Sequence, residues 1–186
     1  LNTLTLALVS AGLLAACGGS GGGDGGSTGA TDAPSSGGTS ALTLSGVVAK
    51  GAALAGATVS AKCATGSTPS VVAGSDGSYT LTISGGALPC VLEATGAGAD
   101  ASLVLHSVAT SSATSAATAN ITPLTELLVA QLAGQDPASF MSTVQAAELA
   151  TALTPAAVTT AQAAVVSTLT AAGVDTSALS NVLTQP

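Results

Sequence analysis

His106 is the only histidine in this 186-residue sequence, and so the one side chain whose ordinary pKa lies near neutral pH. A nucleophilic triad would set it between a serine and an orienting carboxylate. Serines are so abundant here that proximity would mean little, and no Gly-x-Ser-x-Gly elbow stands between a strand and a helix. His106 therefore reads as a strand or loop residue. Paired carboxylates for glycosidic chemistry would have to come from nine scattered acids. Only Glu93 and Glu126 fall in regular elements with apolar neighbours. Glu93 takes the outward parity of a strand, and Glu126 a first helical turn, where the helix dipole favours it. Both read as structural. Asp76 precedes a glycine in a turn, more a turn former than a calcium ligand. Zinc wants four ligands, and only His106 could join Cys63 and Cys90. No catalytic, cofactor-binding or metal-ligating residue is expected.

The elements that would position these groups are built from small residues. Apolar content is 47%, with one Phe, one Tyr and no Trp, so each buried residue removes little area from water. Lys and Arg total 2 against 9 acids, for a net charge of −7. Nucleic-acid binding needs clustered cations, which Lys50 and Lys62 alone cannot supply. The same count excludes a charge-driven grip on anionic lipid headgroups.

The third cysteine, Cys17, stands apart. Residues 4–16 are nearly all apolar, a run of roughly 13 residues where a membrane-crossing helix needs about 20. That length suits the apolar part of a secretory signal. Leu14-Ala15-Ala16-Cys17 ends the run and resembles the lipobox of bacterial lipoproteins. The resemblance implies cleavage before Cys17, a diacylglycerol thioether on its sulfur, and acylation of the new amino group. It also implies attachment to a membrane through that lipid. With Gly18 following, no aspartate signals inner-membrane retention, so in a Gram-negative cell family behaviour implies the outer membrane. No Met begins the sequence, and no Lys or Arg precedes the run as in an export signal. A chain shortened at its start, or one begun at a non-standard codon, is the reading of that gap. Residues 18–40 are rich in Gly, Ser, Thr, Asp and Pro and are expected to form a disordered tether with a reach of roughly 25–30 Å. A phosphate loop is excluded, since the glycines lack a preceding strand, a following helix and a terminal Lys-Ser/Thr.

From Ala41 the pattern has period two. Leu42, Leu44 and Gly46 share one face of a first strand. Ala57, Val59, Ala61 and Cys63 share one face of a second. After a turn at Asp76-Gly77, Tyr79, Leu81 and Ile83 point inward. Leu88, Cys90, Leu92 and Ala94 do so in the next strand, with Val91 and Glu93 on the other face. A final strand is expected over residues 101–107. Short alternating strands with Gly-rich turns indicate an antiparallel β-sandwich. Gly46-Val47-Val48, Ala55-Gly56-Ala57-Thr58-Val59 and Asp76-Gly77-Ser78-Tyr79-Thr80-Leu81 together resemble the carboxypeptidase regulatory-like, transthyretin-like domain. That likeness implies an Ig-like binding or structural module and no active site. Because a lipoprotein passes through an oxidising compartment, the inward Cys63 and Cys90 are expected to form a disulfide. Closing a loop of that size is worth on the order of 3.5 kcal/mol in the chain-entropy account.

Residues 109–119 read as a linker, after which the period becomes helical. Thr122-Pro123, Asp136-Pro137 and Thr154-Pro155 each place an oxygen acceptor at a cap and proline at the first helical position. The second helix is expected to carry Phe140, Val144, Ala147 and Leu149, and Asp175 to cap a last short helix. The whole is an α+β chain: signal peptide 1–16, lipidated tether 17–40, β-sandwich 41–108, linker 109–119 and helical region 120–186. Function is read as a non-enzymatic, lipid-anchored envelope protein that presents the sandwich for binding or for envelope structure, with an unidentified ligand for which a protein and a glycan are both open. A cell-envelope hydrolase, or a fragment of a larger surface protein, is the alternative. The hydrolase would require polar groups, His106 among them, gathered in a concave pocket.

Overall fold

The computed structural model describes residues 40–110 and 115–185. The expected signal peptide, Cys17 and the glycine tether through residue 39 lie outside the described residues, as do residues 111–114 of the expected linker. Seven strands precede four helices among the described residues: β1 (Ala41–Val47), β2 (Thr58–Thr65), β3 (Ser70–Val72), β4 (Ser78–Ser84), β5 (Ala87–Thr95), β6 (Val104–Ala109), β7 (Ala116–Thr118), α1 (Pro123–Ala133), α2 (Pro137–Thr143), α3 (Ala146–Ala152) and α4 (Pro155–Ala171). The chain is of the α+β class.

Two sheets form, in the orders β4-β1-β7 and β3-β2-β5-β6. All neighbours are antiparallel except β1 and β7. Alternation explains why they face each other. Leu42 and Leu44, then Tyr79, Leu81 and Ile83, are buried from the first sheet. Val59, Ala61, Cys90, Leu92 and Ala94 meet them from the second in one apolar cluster. The Tyr79 hydroxyl cannot go unpaired in such a place and donates to the Ala119 carbonyl at 2.5 Å. Burial pushes that hydroxyl's pKa above the usual phenol range. The Asp76 turn is as expected: its carboxylate accepts from the Ser78 hydroxyl at 2.6 Å and from the Ser78 N–H at 3.0 Å. Gly77 there has φ 73°.

The outer face of the four-stranded sheet is not open to water. Val91 and Val108, on the side away from the sandwich interior, are fully buried. They pack in a second cluster with Leu128 and Val129 of α1, Phe140 of α2, Leu149 of α3 and Val158 of α4. Helices and sheet thus share a core, and the outward parity of β5 and β6 is an interior surface. Residues 109–119, expected as a linker, contain β7. Its register with β1 pairs Thr43 with Ala116 and Ser45 with Thr118. Backbone hydrogen bonds carry the parallel run on to Ile121, whose N–H donates to the Val47 carbonyl at 2.9 Å.

All three caps act as expected. Thr122 accepts from Thr125 N–H, Asp136 from Ser139 N–H and Thr154 from Ala157 N–H, each with proline next. Gly134 closes α1 in the left-handed conformation at φ 62°. Two helix expectations need correction. The second helix breaks at Val144, whose ψ of 132° is extended, and a capping box between Gln145 and Glu148 starts α3. No helix follows Asp175 among the described residues; its carboxylate accepts from Ser177 N–H at 2.9 Å and shapes a turn instead.

Candidate functional site

β6 is the last strand of its sheet, so alternate main-chain groups along it point away from β5 and need other partners. At His106 the first turn of α1 supplies them. The His106 N–H donates to Glu126 Oε2 at 2.5 Å, and its carbonyl accepts from the Thr125 hydroxyl at 2.7 Å. Thr125 Oγ1 in turn accepts from the Thr122 N–H at 2.9 Å. Two side chains of a helix thus replace a neighbouring strand.

The imidazole of His106 lies between two carboxylates. Its Nδ1 is 3.0 Å from Glu126 Oε2 and 3.2 Å from Oε1. Its Nε2 is 3.4 Å from Oε2 of Glu93, the residue directly opposite on β5. Because the main-chain groups of His106 turn toward α1, this cross-strand pair is a non-hydrogen-bonded one, the kind that brings side chains closest. The His106 side chain is 1% exposed, against 32% for Glu93 and 28% for Glu126. Burial works to lower the His106 pKa. The hydrogen bond and charge of Glu126, followed by the charge of Glu93, outweigh it, and the balance is a pKa raised above 6.5. Asp136, the cap of α2, is held below the usual carboxylate range by the Ser139 N–H, with a smaller contribution from the charge of His106.

No protein-family model, curated protein or solved structure matches this chain.

Taken singly, the residue types and positions of His106, Glu93 and Glu126 imply structural roles. The structure brings all three together, and none of them lines the cleft between the end of β1 and the start of α1. This cleft of about 570 Å³ is lined by Val47, Ala49, Ala53, Pro123 and Leu124, with Thr122 and Gln185 among its polar groups. It holds no ionisable side chain. Among the described residues, no group of three or more His, Cys, Asp or Glu side chains is placed to hold a metal ion.

Cys63 and Cys90 are register partners on β2 and β5, with Cα atoms 4.0 Å apart and sulfurs at disulfide distance. The pair lies on the inner face, among the sandwich core. The two lysines, read from the sequence only as too few to bind nucleic acid, each make a specific contact. Lys62 Nζ donates to the carbonyls of Met141 at 2.7 Å and Val144 at 3.3 Å, at the C-terminal end of α2. Lys50 pairs with Asp100. Lys62, Glu93 and His106 all project from the outer face of the sheet toward the helices. The signal that could have joined them is parity: all three alternate away from the sandwich core.

Proposed function

We propose that this chain is a lipoprotein of the bacterial cell envelope, anchored through lipid on Cys17, whose folded part is a non-enzymatic binding or structural module. The observation that carries the reading is Leu14-Ala15-Ala16-Cys17 at the junction of a short apolar run and a glycine tract. The apolar run is the length of a secretory signal, and the following tract suits a tether. The disulfide-distance cysteine pair supports passage through an oxidising compartment. Seven strands in two sheets support the finer reading of the folded part as an Ig-like, transthyretin-like sandwich. So does the inward Tyr79 and Leu81 sequence after the Asp76-Gly77 turn. The sealed position of His106 supports a module without turnover. In a Gram-negative cell the outer membrane is its place.

A Cys17→Ser variant expressed in a bacterial host and followed by fractionation tests this reading. The anchored protein sediments with membranes and needs detergent for release. The variant is expected to leave the membrane fraction or accumulate with its signal uncut. A variant that sediments, processed and detergent-dependent, just as the parent does would overturn it.

A further inference from the structure

We propose that Glu93, His106 and Glu126 form a proton-dependent clasp that ties the helical layer to the sheet, closed when His106 is an imidazolium and loosened when it is neutral. The geometry is what demands the proton. An imidazolium carries two N–H donors: Nδ1–H is bonded to Glu126 at 3.0 Å, while the buried Nε2 has no hydrogen-bond partner and lies 3.4 Å from Glu93, to which its charge draws it. Neutral imidazole keeps only one. Whichever tautomer forms, a ring lone pair then stands beside a carboxylate, and the buried ring no longer balances the two negative charges next to it. Glu126 Oε2 also accepts the His106 main-chain N–H. A shift of Glu126 away from the neutral ring therefore removes a partner from the edge of β6 as well.

The other charged groups packed on this joint are already engaged. Asp136 caps α2 through the Ser139 N–H. Glu148 of α3 accepts from the Gln145 N–H at 2.9 Å. Lys62 of β2 holds the end of α2. Asp136 and Glu148 are acceptors with no proton to offer Glu93 or Glu126, and the Lys62 ammonium is turned to the carbonyls of Met141, Ser142 and Val144. The sign follows from the raised His106 pKa: the clasp is fully present below 6.5, the unfolded reference, and is lost as pH rises through the higher native value.

The sole histidine makes the test direct, since its ring protons give one titration curve. In the full chain in detergent, His106 is followed by NMR between about pH 5 and pH 9, along with the methyl resonances of Val91 and Val108 beneath the helices. The clasp predicts a midpoint above 6.5, methyl shifts that track the same curve, and a melting temperature that falls through it. Each unit by which the midpoint is raised corresponds to about a tenfold change in the closed-to-open ratio. Glu126→Gln should move the midpoint back toward 6.5 and flatten the melting profile. If that variant does not fold, the unmodified chain still decides. A midpoint at or below 6.5, or Val91 and Val108 methyls and a melting temperature indifferent to His106 titration, overturns the proposal.

Discussion

At Gly46 a Cβ would stand 2.2 Å from the Ala119 carbonyl oxygen and 3.1 Å from the Tyr79 ring. The first neighbour is backbone and cannot rotate aside. The same carbonyl receives the Tyr79 hydroxyl, so a displaced Ala119 would also strand a buried donor. Gly46→Ala is expected to destabilise by about 1–3 kcal/mol, toward the upper end because backbone must move. The urea midpoint measures it, with the m-value unchanged if only stability is affected. At this scale the sequence misled in one respect. Gly46 was placed by parity on the inner face with Leu42 and Leu44, which is sound, but alternation says nothing about how near another backbone comes. That approach is made by residues 115–121, distant in sequence from β1.

At the scale of elements, α1 serves β6 much as another strand would. Thr125 is fully buried, and its hydroxyl is shared between the His106 carbonyl and the Thr122 N–H. Thr125→Val keeps the volume and removes both partners, leaving a buried acceptor and donor unsatisfied. A loss of about 1–3 kcal/mol is expected by thermal or urea unfolding. Thr159→Val on the exposed side of α4 serves as the control and should stay within about 0.5 kcal/mol of the parent. Long elements with a strong device were legible from residue types alone: β4 from Tyr79, Leu81 and Ile83, and the starts of α1, α2 and α4 from their cap-proline pairs. The short ones were not. β3 and β7 have three residues each, too few to show a period. β7 lies within a run of Ser, Thr and Ala whose pairing with β1 depends on backbone rather than side chains. The break between α2 and α3 was missed because Val144 and Leu149 both continue an apolar stripe, while only the Gln145–Glu148 box marks the restart.

On the scale of the molecule, the charged residues that are few in composition are concentrated in meaning. Lys62, Glu93 and His106 project from the outer face of the sheet, where Val91 and Val108 are also covered. From the sequence, outward parity suggested solvent, because a lone sandwich leaves that face wet. Four helices packed on it reverse the inference, and Glu126 joins the cross-strand pair of Glu93 and His106 only through that third layer. The cluster could be located only once the layer was in place. The same arrangement leaves the proposed anchor at the opposite extreme of legibility: Cys17 is argued wholly from residue types and spacing. Intact mass spectrometry of the protein extracted from membranes, without reduction, tests it most directly. The account predicts a chain beginning at Cys17, heavier than its amino acids by a diacylglyceryl group and an amide-linked acyl chain. It also predicts a mass two hydrogens lighter for the Cys63–Cys90 pair. An unlipidated chain, or one that still carries residues 1–16 in the mature membrane form, would contradict it.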